Sequence, residues 1–352
     1  MTNRSDSRAW LRTVAIAWLV LVGMAIPLLV SAAKAPPPPA KPVQPEHVIL
    51  VVLEGVGQEA LKAGPMPVLS RLVKQGSVTW SATGVNPPLR LPTMASLFTG
   101  LPVEKHGITW NSFDFIRGYP RPPTVFDYLD LSGGRDSAIF FMDESLYQLA
   151  KPEPYTDYQM CGPLRPECST NTVVGYIREY FRKATSGHGY GHAILSLPHF
   201  LVVHLPEPGR AGLAQGMSSP AYRESLRTVD QAISSILGIY RDLGLLDRTT
   251  VFVTALNNAD EAKGSGNGSG TASAPPRTLW VAWGAGIKSG HLIKQPVSIM
   301  DTGATVMRTL GLTTHTEWES KAVEEIFSTP RPASSVSTDR GVPGGVSDRT
   351  SR

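Results

Sequence analysis

The chain has 352 residues, 41 % of them hydrophobic, which suits one large domain or two small ones with an ordinary apolar core. Its formal charge of +4 resides at the ends: residues 1–41 carry +4 and residues 331–352 carry +2, which leaves −2 on residues 42–330. The part that folds is therefore not basic, and nucleic acid is excluded as a charge-driven partner.

The N-terminus sets the topology. Thr13 to Ala33 holds no charged residue and is long enough to span a bilayer as a helix. Arg4, Arg8 and Arg12 precede it, so the positive-inside rule keeps residues 1–12 in the cytoplasm. Residues 13–33 read as an uncleaved anchor. The alternative is a cleaved signal ending at Ser31-Ala32-Ala33. Either reading exports the rest of the chain, and the expected place of the domain is the periplasmic face of the inner membrane. Residues 34–46 are a proline-rich linker, with APPPPAKPVQP at 35–45 as a semi-rigid spacer. A domain is expected over 47–329, followed by a tail over 330–352 with the composition of disorder. Cys161 and Cys168 are the only cysteines, and in an exported chain a local disulfide between them is expected. The alternative is two unpaired thiols, and two cysteines alone do not make a zinc site.

Within the domain, apolar runs alternate with helical patterns. His47 to Leu53 is a β-branched run typical of a strand buried on both faces. Helical spacing follows at Met66–Gln75, and a helix opens after Pro92 over Thr93–Thr99. Thr124–Leu131 reads as a short helix, Ser137–Met142 as a strand and Thr170–Lys183 as an amphipathic helix. His199–Leu205 is a buried strand. Pro220–Leu243 is a long helix with Tyr222, Leu226, Val229, Ile233, Ile236 and Leu237 on one side. Thr250–Thr254 and Leu279–Trp283 are two more buried strands, and Thr302–Leu310 is a late helix. This alternation predicts an α/β fold with a mostly parallel sheet covered on both faces. Ligands in such sheets bind beyond the carboxyl ends of the strands. That rule singles out Glu54, the segment Glu207–Leu213, the segment Leu256–Asn258 and the turn Arg90–Thr93, where a helix begins.

Seven stretches carry a family resemblance: VILVVLEG (48–55), PVLSRLVKQG (67–76), LPTMASLFTGLPVEKHGITWN (91–111), PTVFDYL (123–129), YRESLRTVDQAISSIL (222–237), WGAGIK (283–288) and DTGATVMRTLGL (301–312). In order and spacing, residues 47–327 resemble the type I phosphodiesterase/nucleotide pyrophosphatase branch of the alkaline phosphatase superfamily. The resemblance implies an alkaline-phosphatase-like sheet, two zinc-like ions held by Asp and His, and a Thr or Ser nucleophile. Carried over position by position, it also implies that this chemistry has been lost. The strand-ending Asp of the family is Glu54 here, and the nucleophile position is Arg90. The Asn-His pair that follows is Thr93-Met94. The Asp and His after the third strand are Gly209 and Leu213, and the Asp-His after the fourth are Leu256 and Asn257. The last His-bearing loop falls in Gly264–Ala274, which has no histidine. No intact catalytic site is expected, and no metal or other cofactor. Loss of the ions would strand Glu54 near the sheet core, so a salt bridge from Arg90 is expected in their place. The alternative leaves Arg90 free to grip an anion bidentately.

Other residues carry plainer readings. Thr93 is read as a helix cap rather than a relocated nucleophile. His188 and His192, among glycines, belong to a loop rather than to a metal-binding helix face. His106 is structural, and His204 is a satisfied core or rim histidine. Glu207, Asp260 and Glu261 are solvated loop carboxylates. The expectation is a membrane-anchored pseudoenzyme that binds or scaffolds, attached through residues 13–33, with an envelope protein or an anionic ligand as partner. Its rival is a divergent hydrolase or transferase of phosphodiesters, pyrophosphates or sulfate esters. That rival requires a zinc pair, with Thr93 and Glu54 as fallback catalytic residues.

Overall fold

His47–Leu53 forms strand β1, and every residue of it is buried. Its even positions, Val48, Leu50 and Val52, enter one apolar core and its odd positions, Ile49, Val51 and Leu53, enter another. Uninterrupted apolar character is what a strand covered on both faces requires, and β1 sits inside the sheet. This arrangement comes from a computed structural model that describes residues 44–151, 156–160, 168–186, 196–256 and 275–329. All of the described residues belong to one compact unit, which begins at Val43. The expected anchor at 13–33, most of the linker, Cys161 and the tail from residue 330 lie outside the described residues. Among the described residues no helix is long and apolar enough to cross a membrane.

After β1 come helices α1 (Gln58–Ala63) and α2 (Pro67–Gln75), strand β2 (Ser77–Thr83), and helices α3 (Arg90–Thr99), α4 (Val103–His106) and α5 (Val125–Leu131). Next are strands β3 (Ser137–Phe141) and β4 (Thr156–Met160), helix α6 (Thr170–Ser186) and strand β5 (Phe200–Leu205). Helices α7 (Glu207–Gln215) and α8 (Pro220–Asp242) lead to strands β6 (Thr249–Ala255), β7 (Arg277–Gly284) and β8 (His291–Leu292), and helix α9 (Asp301–Thr309) follows. The described strands form one sheet in the order β4-β3-β5-β1-β6-β7-β2-β8. Strands β4 to β6 in that order are parallel. Strand β7 runs antiparallel to both of its neighbours. The expected sheet is therefore present but mixed. Burial could not reveal the direction of β7, because an antiparallel strand inside a covered sheet is as apolar as a parallel one.

Strands β2, β4 and the two-residue β8 have no counterpart among the expected elements. In β2 the sequence SVTWSAT mixes polar and apolar side chains, and the buried Ser77 satisfies its hydroxyl on the Lys288 carbonyl at 3.0 Å. Helices α3, α5 and α9 cover one face, and α2, α6 and α8 cover the other. All six residues expected on the inner side of α8 are buried. Ser219 caps that helix by accepting from Tyr222 N, and Pro220 holds its first position. Asp230, on the same buried side, reaches α2 and accepts from Val68 N and Leu69 N at 3.0 and 2.8 Å. These are donors that a helix start leaves unpaired. Helix α5 opens with a reciprocal cap between Thr124 and Asp127.

Candidate functional site

The parallel strands deliver four charged or titratable side chains to their carboxyl ends. Glu54 follows β1 directly, His204 lies on β5, Asp143 stands two residues past β3, and Arg90 opens α3. The ion pair expected between Glu54 and Arg90 is present and bidentate. Arg90 Nε donates to Glu54 Oε1 at 2.5 Å and Nη2 donates to Oε2 at 3.0 Å. The third guanidinium nitrogen, Nη1, pairs with Asp143 Oδ2 at 2.8 Å. Arg210, on α7, closes the chain by donating from Nη2 to Asp143 Oδ2 at 2.9 Å and to the Met142 carbonyl at 2.6 Å. The other Asp143 oxygen accepts from Ser145 N and Oγ.

His204 completes the cluster. Its Nε2 lies 2.8 Å from Glu54 Oε1. Burial alone would raise the Glu54 pKa, but the hydrogen bonds from His204 and Arg90 outweigh it and hold the group down at about 2. A carboxylate only accepts, so the His204 proton sits on Nε2. The ring is fully buried, and burial lowers its pKa and keeps it neutral. The reading of His204 as a core histidine holds: it is fully buried and its Nε2 is bonded to Glu54, while its buried Nδ1 has no hydrogen-bond partner among the described residues. The alternative of a free Arg90 is corrected, since all three of its nitrogens are engaged.

The remaining expected site residues are not brought into this cluster. Thr93 is not a cap: it lies inside α3, donates its N–H to the Leu89 carbonyl, and is 1 % exposed. The helix start is served instead by Asn111, whose Oδ1 accepts from Leu91 N at 2.9 Å. Met94 and Leu256 are core residues. Leu213 is 70 % exposed on α7. Gly209 packs against the strand end so closely that a Cβ there would stand 2.8 Å from Glu54 Cβ. Glu207 is not a solvated loop carboxylate: it begins α7 and accepts from Thr170 N at 2.8 Å, serving the start of α6. His106 is structural as expected, with Nε2 on Ser96 Oγ and Nδ1 accepting from Ile108 N. Asn257, Asp260, Glu261, His188, His192 and the segment 264–274 lie outside the described residues.

Asp143, Arg210 and Asn111 were missed. Position past the end of β3 was the one available signal for Asp143. Nothing local marks Arg210 or Asn111, because each acts on a residue distant in sequence. Among the described residues no group of three or more His, Cys, Asp or Glu is placed to hold a metal. The two carboxylates at the strand ends are saturated by guanidinium groups, and this donor set does not fit a zinc pair.

The buried titratable groups set an acid response. Burial lowers the His106 pKa to about 4, and His47, His199 and His204 are lowered for the same first reason. A base with a depressed folded pKa binds more protons when unfolded, so its contribution is full above pH 6.5 and is lost as pH falls toward the folded value. The limiting slope is about 1.4 kcal/mol per pH unit for a fully buried histidine between its unfolded and folded values, and the partly exposed His199 contributes less. Glu54 adds a second window: its contribution is full above about 4.5 and is lost as pH falls toward about 2. Urea midpoints measured from pH 7 downward are expected to fall steadily from about pH 6.5. A flat midpoint between pH 7 and 4.5 would contradict this arrangement.

The architecture can now be compared with known proteins. The family described as type I phosphodiesterase/nucleotide pyrophosphatase matches residues 48–255. Rat ectonucleotide pyrophosphatase/phosphodiesterase family member 1 is 24 % identical over 225 residues, covering 60 % of this chain and 24 % of the rat protein. Pig N-acetylgalactosamine-6-sulfatase is 23 % identical over 332 residues, covering 76 % of this chain and 63 % of the pig protein. The chain thus spans about a quarter of the first relative and under two thirds of the second. Among solved structures, human ectonucleotide pyrophosphatase/phosphodiesterase 5 superposes with a TM-score of 0.60 at 14 % identity, covering 80 % of this chain and all of that one. At that identity the likeness speaks for the fold. The family match runs from β1 to the end of β6, through the strands that assemble the charged cluster, and the chain therefore belongs to the type I phosphodiesterase/nucleotide pyrophosphatase family of the alkaline phosphatase superfamily.

Proposed function

We propose that this protein is a membrane-anchored, exported pseudoenzyme of its family, acting by binding or scaffolding rather than by two-metal catalysis. One observation carries the reading. Where the fold would gather metal ligands, every Arg90 nitrogen and both Glu54 oxygens are bonded within the protein. The side chains named in that cluster are Glu54, Asp143, Arg90 and Arg210, two negative and two positive, with a neutral His204. A cluster whose charges cancel in this way has no net charge with which to draw an anionic substrate. Export and anchorage rest on the uncharged segment 13–33 behind Arg4, Arg8 and Arg12. On this reading the domain lies on the periplasmic face with an envelope protein as partner, and a Cys161–Cys168 disulfide would suit that compartment.

The sulfatase relatives favour a second reading, a divergent hydrolase of sulfate or phosphate esters. It would demand a nucleophile, and Thr93 is 1 % exposed within a helix. The deciding experiment is the metal content of residues 44–330 after dialysis against dilute zinc, measured by mass spectrometry. Near-zero retained metal, together with no turnover of nitrophenyl phosphodiester or sulfate esters, is expected. Two equivalents of zinc, or turnover abolished by Thr93→Ala, would establish the hydrolase instead.

A further inference from the structure

A segment beside the charged cluster has a different character. Asn111 joins this segment to the start of α3, so residues 111–119 emerge at the carboxyl end of the strands. Their tip is apolar and turned outward: Phe115 is 85 % exposed and Ile116 95 %, with Phe113 and Tyr119 about half exposed beside them. An isolated exposed apolar residue is ordinary, but four within seven positions form a patch that calls for a partner.

The loop is braced, which separates it from a slack connection. The buried Gln148 holds both of its arms, accepting from Asp114 N at 2.7 Å and donating to the Gly118 carbonyl. Asp114 accepts from Ile116 N at 3.0 Å and pairs with Arg117 at 2.9 Å. Phe113 packs edge-on against Tyr147, and the Arg117 guanidinium lies 4.6 Å from the centre of the Trp110 ring. The loop thus spends its fixed structure on presenting Phe115 and Ile116 to the outside.

We propose that this loop inserts its tip into an anionic lipid surface. Three features select lipid over a protein groove. Phe115 and Ile116 are almost wholly exposed, and a deformable apolar medium accepts such a tip without a matching cavity. Backbone groups around the tip, Asp114 N, Ile116 N and Gly118 O, are already bonded within the protein, which is what entry into a medium without water demands. Trp110 and Tyr119 flank the tip in sequence and are the residue types of a membrane interface, and Arg117 and Arg121 beside them are exposed, as cations at headgroup level would be. The loop from 111 to 123 is net positive, complementary to anionic headgroups. The proposal does not depend on whether the cleft is catalytic.

The test uses residues 44–329, so that the apolar segment 13–33 does not itself bind lipid. That piece holds the whole described sheet and both of its cores, and a cooperative thermal melt is the check that it is folded before lipid is added. Sedimentation with vesicles of phosphatidylcholine containing about one third phosphatidylglycerol is expected to carry the protein down. Phe115→Ala with Ile116→Ala is expected to weaken that partition by about 100-fold or more, since each side chain supplies roughly tenfold when buried. Thermal melting of the variant is expected to match the parent, because both side chains face solvent. A Phe115→Trp variant is expected to be quenched by lipids brominated along their chains. Failure of the parent to bind, or equal binding by the double variant, would overturn the proposal. Equal binding to vesicles of phosphatidylcholine alone would overturn the anionic preference. A lipid-free dimer in sedimentation equilibrium that the double variant abolishes would assign the patch to a second copy of the chain. A discrete protein adduct from a photocrosslinker at position 115, with no lipid adduct, would assign it to a protein partner.

Discussion

Replacing Arg90 with methionine is expected to destabilise the domain by about 3–5 kcal/mol, because it leaves a buried carboxylate without its cation. Glu54 is 6 % exposed at its side chain and receives two of the three Arg90 nitrogens. With the guanidinium gone, one hydrogen bond from a neutral His204 remains against the full desolvation of the charge. Asp143 loses a partner as well, although Arg210 and Ser145 still serve it. The pair predicts a specific rescue. Glu54→Leu combined with Arg90→Met removes both charges, and exchanging a buried ion pair for apolar groups of similar volume is often neutral. The double variant is therefore expected to recover most of the lost stability, with a coupling of at least about 2 kcal/mol in the cycle of urea unfolding curves. If Arg90→Met left the midpoint unchanged, the ion pair would hold nothing together and the replacement of metal charge by Arg90 would have to be abandoned.

The second large effect is expected at Gly55. This residue has a φ of +69°, and a Cβ there would lie 2.6 Å from the Cα and N of Gly209. Two costs add: a left-handed backbone of about 1–2 kcal/mol and a backbone-to-backbone overlap that no side-chain rotation relieves. Gly55→Ala is expected to cost about 3 kcal/mol or more and to push α7 away from the strand end. Gly107 provides the control. It also has a positive φ, +74°, but nothing lies within 4 Å of the place a Cβ would take. Gly107→Ala should therefore show the backbone term alone, about 1–2 kcal/mol. Equal losses in the two variants, read from chemical denaturation, would refute a close α7 contact at Gly55. The same contact bears on any attempt to rebuild a metal ligand at Gly209, since a side chain there meets Glu54 before it meets an ion.

Much of the fold was legible because burial on both faces writes itself into local composition. The run His47–Leu53 and the six inner residues of α8 needed no partner to be identified. The direction of β7 was not legible, because a covered strand has the same composition in either orientation. Strand β2 was hidden for a related reason: Ser77 satisfies its hydroxyl on the distant Lys288 carbonyl and Thr79 pairs with Ser81, and local pattern counts all three as polar. Thr93 illustrates the limit for caps. A threonine near a helix start is favoured as a cap, yet the helix began three residues earlier and the capping oxygen came from Asn111.

For the site, the sequence by itself determined which charges existed and which were missing. Leucine at 213 and 256 cannot ligate a metal and arginine at 90 cannot act as a nucleophile, by chemistry alone and whatever the fold. It also determined that an isolated Glu54 would need a cation, because a carboxylate beside an apolar strand is too costly unpaired. Only the tertiary structure decided how that need was met. Crossover connections bring Asp143, His204 and Arg210 to one edge from three separate segments, and a contact between residues 150 positions apart leaves no trace in local pattern. The outward loop at Phe115 and Ile116 was decided the same way. Its composition reads as core, and only the geometry that Gln148 and Asp114 impose turns those side chains into solvent.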